Sequence, residues 1–392
     1  MKRFNSMAAL RKLDNKNNSK IKKRTIIISV IVLVIGILYF SFARFESTAS
    51  FNLINGTANV TNISLKNKIN RLKTNGSTEL EYDETVDNNL RYVGATPNNY
   101  VLFNGELWRI IGVMNNIEKE DGTTESLIKI IRAESLGSYS WDTSDSSVNG
   151  GYGINQWGES DSYEGSDLMR ELNTDYLGNI IVGTDGKWYD GISNSKTSDM
   201  PTNLLSGDAQ GMIQTVIWNV GSPSNDGGTY DSNWHTNVIP STSYTRERTE
   251  TNGKVCSSGT YCNDSVNRTS TWIGKVGLIY PSDYGYATSG GITTNRSTCL
   301  DSSMYLWDGN ELSDCTNNNW IFNSLLHQWT MSPAALTGYA RNSFYIYNYN
   351  VGYLINGYVY DKRGVFPVVF LKSSVSITGG SGTQDNPFTL MI

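Results

Sequence analysis

Nineteen consecutive residues without a charge, Thr25 to Ala43 (TIIISVIVLVIGILYFSFA), constrain this chain more than any other feature. About 20 apolar residues cross a bilayer as one helix. The flank before the segment, Lys20, Lys22, Lys23 and Arg24, is strongly basic, and such flanks stay on the cytoplasmic side. The expectation is a cytoplasmic tail over residues 1–24, a membrane anchor over residues 25–43, and everything after Arg44 outside the cell. A cleaved signal peptide competes with this reading, with Ser47-Thr48-Ala49 as a weak small-residue site. Secretory apolar cores run about 7–15 residues, and this one is longer, which favours an uncleaved anchor.

Charge is unevenly placed. Residues 1–24 hold nine of the chain's 32 Lys and Arg and one of its 37 Asp and Glu, so the remaining 23 basic and 36 acidic residues carry a net charge of −13. Binding nucleic acid requires a basic face that displaces phosphate counterions, so no nucleic-acid partner is expected. With 23 Tyr and 10 Trp in 392 residues, the chain is also too aromatic for a disordered protein.

An exterior location shapes the reading of the four cysteines, Cys256, Cys262, Cys299 and Cys315. Four cysteines allow three pairings; the simplest is Cys256–Cys262 plus Cys299–Cys315. Their C-x5-C and C-x15-C spacings do not fit a zinc site, and no histidine lies near them. Disulfides are the expectation.

Residues 44–85 are rich in Asn, Thr and Ser and read as a stalk, with a short helix suggested by Leu65, Ile69 and Leu72. A globular extracellular domain is expected over residues 86–375, with a closing segment over 376–392. Tyr100–Phe103 and Leu107–Val113 alternate as strands around Asn104-Gly105, a hairpin turn whose residues tolerate positive φ. Asn356-Gly357 reads as a second such turn. Ser166 can cap a short helix over Asp167–Leu172. A longer helix is expected from about Asp208 to Val220, on the stripe Met212, Val216, Ile217 and Val220. The fold class implied is α+β, mainly short antiparallel strands with two or three short helices.

Two stretches carry a resemblance: Asp87–Val113 (DNNLRYVGATPNNYVLFNGELWRIIGV), and GKVGLIYPSDYGYATSGG from Gly274 followed by WTMSPAALTGYARN and GVFPVVFLK. Together they resemble a family of uncharacterised, single-pass surface proteins of gut-type Gram-positive bacteria. The order Gly-x-hydrophobic-x-Pro-Ser, Trp-x-x-Ser, Ala-Arg, Gly-Val-x-Pro-Val is similar to the C-terminal half of bacterial C-type-lectin-like domains, including relatives of formylglycine-generating enzyme. That resemblance implies a C-type-lectin-like scaffold in which the Trp-x-x-Ser and closing segments are neighbouring core strands. One departure stands out: such families commonly place Arg before the closing Pro, where this chain has Phe366, with Arg363 three residues earlier. A ligand contact or salt bridge from that arginine is therefore not carried over.

Motifs for catalysis are sparse. The two histidines, His235 and His327, are far apart, and neither H-E-x-x-H nor G-x-S-x-G occurs. His327, beside Trp329, reads as structural. Calcium is the one metal considered, through Asp308, Asn310 and Asp314, although the EF-hand pattern is missing; no cofactor is expected. The most suggestive surface is Phe344-Tyr345-Ile346-Tyr347-Asn348-Tyr349. Alternation sends Phe344 and Ile346 into the core and places Tyr345, Tyr347 and Tyr349 on the other face. Aromatics with a polar tip suit sugar or peptide contact. The resulting expectation is a membrane-anchored, non-enzymatic recognition or adhesion module outside the cell, with a glycan or protein ligand. The alternatives are a cell-envelope enzyme acting on glycans and a purely structural envelope protein.

Overall fold

Asn104 and Gly105 both adopt positive φ, 57° and 76°, and the tight turn they make starts the architecture. In this computed structural model the described residues are 63–143, 153–160, 163–178, 187–189, 196–199, 203–221, 234–249, 269–307, 312–334, 341–349 and 351–392. The anchor expected over residues 25–43 lies outside them. The strands are β1 (Leu80–Tyr82), β2 (Leu90–Tyr92), β3 (Tyr100–Phe103), β4 (Glu106–Glu118), β5 (Thr124–Arg132), β6 (Ser138–Ser140), β7 (Lys187–Tyr189), β8 (Lys196–Asp199) and β9 (Val216–Asn219). They continue as β10 (Thr271–Gly274), β11 (Val276–Gly277), β12 (Gln328–Ala334), β13 (Asn342–Ile346), β14 (Leu354–Tyr358), β15 (Lys362–Gly364), β16 (Val368–Leu371), β17 (Ser376–Gly379) and β18 (Phe388–Met391).

A nine-stranded sheet runs β11-β16-β5-β4-β3-β18-β17, with β2 and β1 joined to it through β4. Where β2 crosses β4, a side chain on Gly112 would lie 2.2 Å from the Leu90 carbonyl oxygen, so only glycine permits the approach. A five-stranded sheet runs β14-β13-β12-β15-β6. The chain passes from this sheet to the larger one over Val365, Phe366 and Pro367, between β15 and β16, and all three are buried.

Helices among the described residues are α1 (Leu65–Thr74), α2 (Asp167–Asn173), α3 (Gly207–Met212), α4 (Trp234–Asn237), α5 (Pro240–Arg248), α6 (Pro281–Tyr286), α7 (Arg296–Asp301) and α8 (Ser313–Asn317). Side-chain caps start several of them: Ser64, Ser166, Ser206 and Asn295 each accept a backbone N–H of the first turn. α1 buries Leu65 and Ile69 against the core, and the Leu65 N–H donates to the Val375 carbonyl.

These elements correct the fold class. Short antiparallel strands with two or three helices, C-type-lectin-like, were expected; the protein is instead a mixed, sheet-rich fold with eight helices among the described residues. None of those helices is long and apolar enough to cross a membrane. Caps and Pro at the first turn define most of the helices, and an apolar stripe does not reveal such short elements. Both sheets also contain a parallel pair, β3 with β18 and β12 with β15, formed by residues far apart in sequence. Hairpin signals cannot report such pairs.

Two local expectations also change. The helix expected from Asp208 to Val220 stops at Met212; Val216–Asn219 instead pairs with Thr271–Gly274 as β9 and β10. Val216 and Trp218 point inward there, the period-2 pattern of a strand. Asn356-Gly357 is no turn: both residues sit inside β14, opposite Phe344 and Ser343. A side chain at Gly357 would lie 2.2 Å from Arg363 Nη2 and 2.9 Å from the Tyr345 ring, so those groups would have to shift to admit one.

The core holds its charges in pairs. Asp283 accepts from Arg91 Nη1 at 2.7 Å and from Lys129 Nζ at 2.5 Å, and Arg91 Nε donates to Asp83 at 2.8 Å. All four are buried. Burial works against an ionised Asp283, but Lys129 and Arg91 outweigh it and hold the carboxyl below its usual range. Asp83 is held low in the same way by Arg91 and its hydrogen bonds. Glu247 goes the other way. Burial pushes it from 4.5 up to about 7, against the pull of Arg248 and of the Ser282 donors.

The signs give a pH profile. Between about pH 4.5 and 7 the folded chain keeps a proton on Glu247 that the unfolded chain has lost, so this group favours the fold less as pH rises through that window. Asp83 and Asp283, with lowered values, withdraw their contributions as pH falls through the carboxylate range. Urea titrations across pH 4–8 are expected to show stability declining from pH 5 to 7 in the native chain and a flatter profile in Glu247→Gln. Identical slopes in the two proteins would rule out Glu247 as the source.

Candidate functional site

Strand β13 alternates as its sequence implies: Phe344 and Ile346 are sealed into the core. Tyr345, Tyr347 and Tyr349 come together on the other side around His327, whose ring lies 5.5, 4.6 and 5.4 Å from theirs. Their roles differ. Tyr345 is only 7% exposed, packed at 5.9 Å on Trp329 and under the Arg363 guanidinium at 3.7 Å. It is a pillar of the sheet and no contact surface. Arg363 in turn pairs with Asp361 at 2.9 Å, so the arginine that precedes the closing proline by four residues is committed to packing.

Tyr347 lies just beyond β13 and stacks between two rings: His327 on one side (28° between planes) and Tyr353 on the other (4.7 Å, 17°). Tyr349 is 70% exposed, 5.1 Å from Tyr347. The row continues from Tyr353 to Tyr305 (5.7 Å) and from Tyr305 to His235 (5.8 Å). The loop between β13 and β14 thus presents Tyr349 in the open, with its neighbours prestacked.

His327 holds this loop in shape. Its Nδ1 accepts the Asn348 N–H at 3.1 Å, which makes the other ring nitrogen the protonated one. Burial, helped by Arg363, lowers its pKa, so the neutral form persists to lower pH than usual. The Tyr347 N–H donates to the Tyr353 carbonyl at 2.9 Å. From behind, Thr316 Oγ1 donates to the Val351 carbonyl and Tyr284 Oη to the Gly352 carbonyl.

Thr316 sits in α8 beside Cys315, which forms a disulfide with Cys299 of α7. The covalent tie therefore stands directly behind the tyrosine loop. Cys256 and Cys262 lie outside the described residues. So do Asp308 and Asn310, two of the three calcium candidates. The third, Asp314, points Oδ2 at Thr293 N (2.6 Å), Thr293 Oγ1 (2.6 Å) and Thr294 N (2.8 Å). These donors lower its pKa and engage Oδ2 in holding the Thr293–Thr294 backbone. Among the described residues no group of three or more His, Cys, Asp or Glu is placed to hold a metal ion.

Two other buried carboxylates also serve the backbone. Asp142 accepts the N–H groups of Ile154 (2.6 Å) and Asp167 (3.0 Å), while Asp167 accepts that of Thr143 (2.8 Å). Burial, reinforced by the nearby Asp167, raises the pKa of Asp142 well above the usual range. Sequence reading located the three tyrosines but not Tyr353, Tyr305 or the bridging role of His327. A signal existed in part: Tyr353 lies four residues after Tyr349 in a tyrosine-dense stretch.

Comparison with known protein families, curated proteins and solved structures yields no match. Replacing Cys299 and Cys315 together by Ser opens a loop of 15 intervening residues, a change worth about 3 kcal/mol in the chain-entropy account. Calorimetry of the full chain is expected to show a melting temperature lower by several degrees. An unchanged melting temperature would mean that the tie does not brace the loop.

Proposed function

We propose that this protein is a single-pass, membrane-anchored recognition module facing the cell exterior, related to the bacterial surface proteins it resembles. Its contact surface is the β13–β14 loop, with Tyr349 as the exposed ring and Tyr347 and Tyr353 as its support. The observation that carries this is the pairing of exposure with rigidity. Tyr349 is open to solvent, while the rings beside it are stacked and the loop is pinned by His327 and Thr316. A prestacked aromatic loses little conformational freedom on binding and offers both an apolar face and a hydroxyl. Tyr345, buried under Arg363, is not part of this surface.

Support for the location comes from residues 25–43, with their basic flank, and from the acidic, aromatic-rich remainder of the chain. Its ligand is a glycan, whose ring face suits an exposed aromatic with a polar tip. The surface is small and the buried acids Asp142, Asp167 and Asp283 are engaged in holding the fold.

The test uses the full chain in lipid nanodiscs, applied to mucin, cell-wall and host-glycan arrays. A specific hit is expected, weakened about tenfold or more in Tyr349→Ala with the melting temperature unchanged, as befits an exposed hot-spot aromatic. A hit of undiminished affinity in that variant would remove the site. A blank from folded native protein would remove the glycan reading.

A further inference from the structure

A groove of about 310 Å³ opens between the ends of β4 and β5 and the segment Trp320–Leu325. It is separate from the tyrosine loop, and two of its side chains lack the partners their chemistry calls for.

The first is Arg109. Its guanidinium is held between two rings, Tyr100 at 4.5 Å and Trp320 at 4.4 Å. Tyr100 is also its cross-strand neighbour in β3. Nε donates to Asn99 Oδ1 at 2.9 Å, Nη1 to the Trp320 carbonyl at 3.3 Å and Nη2 to the Pro97 carbonyl at 3.5 Å. All three acceptors are neutral, and Arg109 makes no ion pair among the described residues. Of the five N–H donors a guanidinium carries, these bonds use three, leaving one on each terminal nitrogen. Burial pulls its pKa down to about 10, since no carboxylate offsets the loss of solvent. Arg132, on the same wall, differs. It is neutralised by Glu106 through a two-pronged pair at 2.8 and 2.6 Å.

The second is Gln328, the first residue of β12. It is 2% exposed, lines the groove, and its Nε2 has no hydrogen-bond partner. Leaving a buried amide donor unpaired costs about 1–3 kcal/mol. A fold with no use for this group would place an apolar residue of similar shape there.

We propose that this groove is a binding site for a small carboxylate attached to an apolar or ring-shaped body. The planar guanidinium edge suits a carboxylate, whose oxygens can accept from the two remaining Arg109 donors and from the Gln328 amide. One uncompensated cation matches one negative charge. A phosphate would bring a second charge against it, beside the lining carboxylate Glu134. Trp320, Phe322 and Phe366 supply the apolar wall for the rest of the ligand. The carboxylate can come from a uronic acid sugar or from a hydrophobic amino acid, and the probes separate these sources.

The experiment is calorimetric titration of the full chain in detergent with sodium D-glucuronate, N-acetyl-L-phenylalanine and inorganic phosphate. The neutral counterparts are methyl glucoside and N-acetylphenylalanine amide. One of the two carboxylates is expected to bind, its neutral counterpart and phosphate at least tenfold more weakly. Arg109→Gln is expected to weaken binding at least tenfold. Gln328→Leu is expected to weaken it as well while raising the melting temperature, because it removes the orphaned donor. A structural glutamine would show the opposite shift, so this variant decides the matter even where Arg109→Gln fails to fold. Binding of neither carboxylate, equal binding of the neutral forms, tighter binding of phosphate, or a lowered melting temperature in Gln328→Leu would overturn the proposal.

Discussion

Asp283 carries two cations at once inside the core, Arg91 from β2 and Lys129 from β5, and its Oδ2 also accepts the Tyr280 N–H that opens α6. Arg91 reaches on to Asp83, which accepts the N–H groups of Thr85 and Asn89 and so shapes the turn before β2. A single carboxylate thus fixes where two strands, a helix and a turn meet. Energetically such a cluster roughly breaks even against apolar packing, because each ion gives up its water. Its consequence is geometric. Apolar side chains of similar volume could settle in several arrangements, whereas these charges are satisfied in one. Lys129 also lies over the Tyr280 ring at 4.0 Å, so the cluster is continuous with the aromatic core.

That core explains the composition. Trp108, Trp141, Trp157, Trp218, Trp307 and Trp329 are all fully buried. Several sit in or next to loops where no long apolar helix is available to supply bulk. Trp157 packs edge-on against Trp141 at 5.3 Å and Trp272 at 6.1 Å. Their indole N–H groups reach across elements: Trp141 to the Thr330 carbonyl, Trp329 to the Tyr139 carbonyl, Trp218 to the Gly274 carbonyl. Large rings with one donor each both fill volume and tie loops to strands. A chain of short elements needs that combination.

The same logic places the two proposed contact surfaces. The tyrosine loop extends from β13 and β14 and is braced by His327, the residue before β12, and by α8 through Thr316. The groove lined by Arg109 sits at the start of β12, beside Gln328, the residue after His327. Consecutive residues of a strand face opposite sides, so one strand end supports two surfaces of different chemistry. One offers rings and hydroxyls, the other a cation between rings and a spare amide.

Much of the local structure was legible in the chain. The Asn104-Gly105 hairpin, the Ser166 cap and the inward alternation of Phe344 and Ile346 all follow from backbone chemistry that acts within a few residues. The gathering of Tyr345, Tyr347 and Tyr349 on one side follows from the same alternation. What local chemistry cannot express is which distant residues become neighbours. Tertiary packing turned Val216–Asn219 into a strand by supplying Thr271–Gly274 as its partner. It drew Asn356-Gly357 into β14 by supplying Phe344 and Ser343 as their partners. It buried Tyr345 while leaving Tyr349 exposed, and it set Arg109 between Tyr100 and Trp320, two rings 220 residues apart. The sequence by itself determined the turns, caps and side-chain facing, because their forces act over one or two turns of chain. The parallel pairings, the buried charges and both sites were decided by the folded whole, because burial and desolvation exist only once distant segments have met.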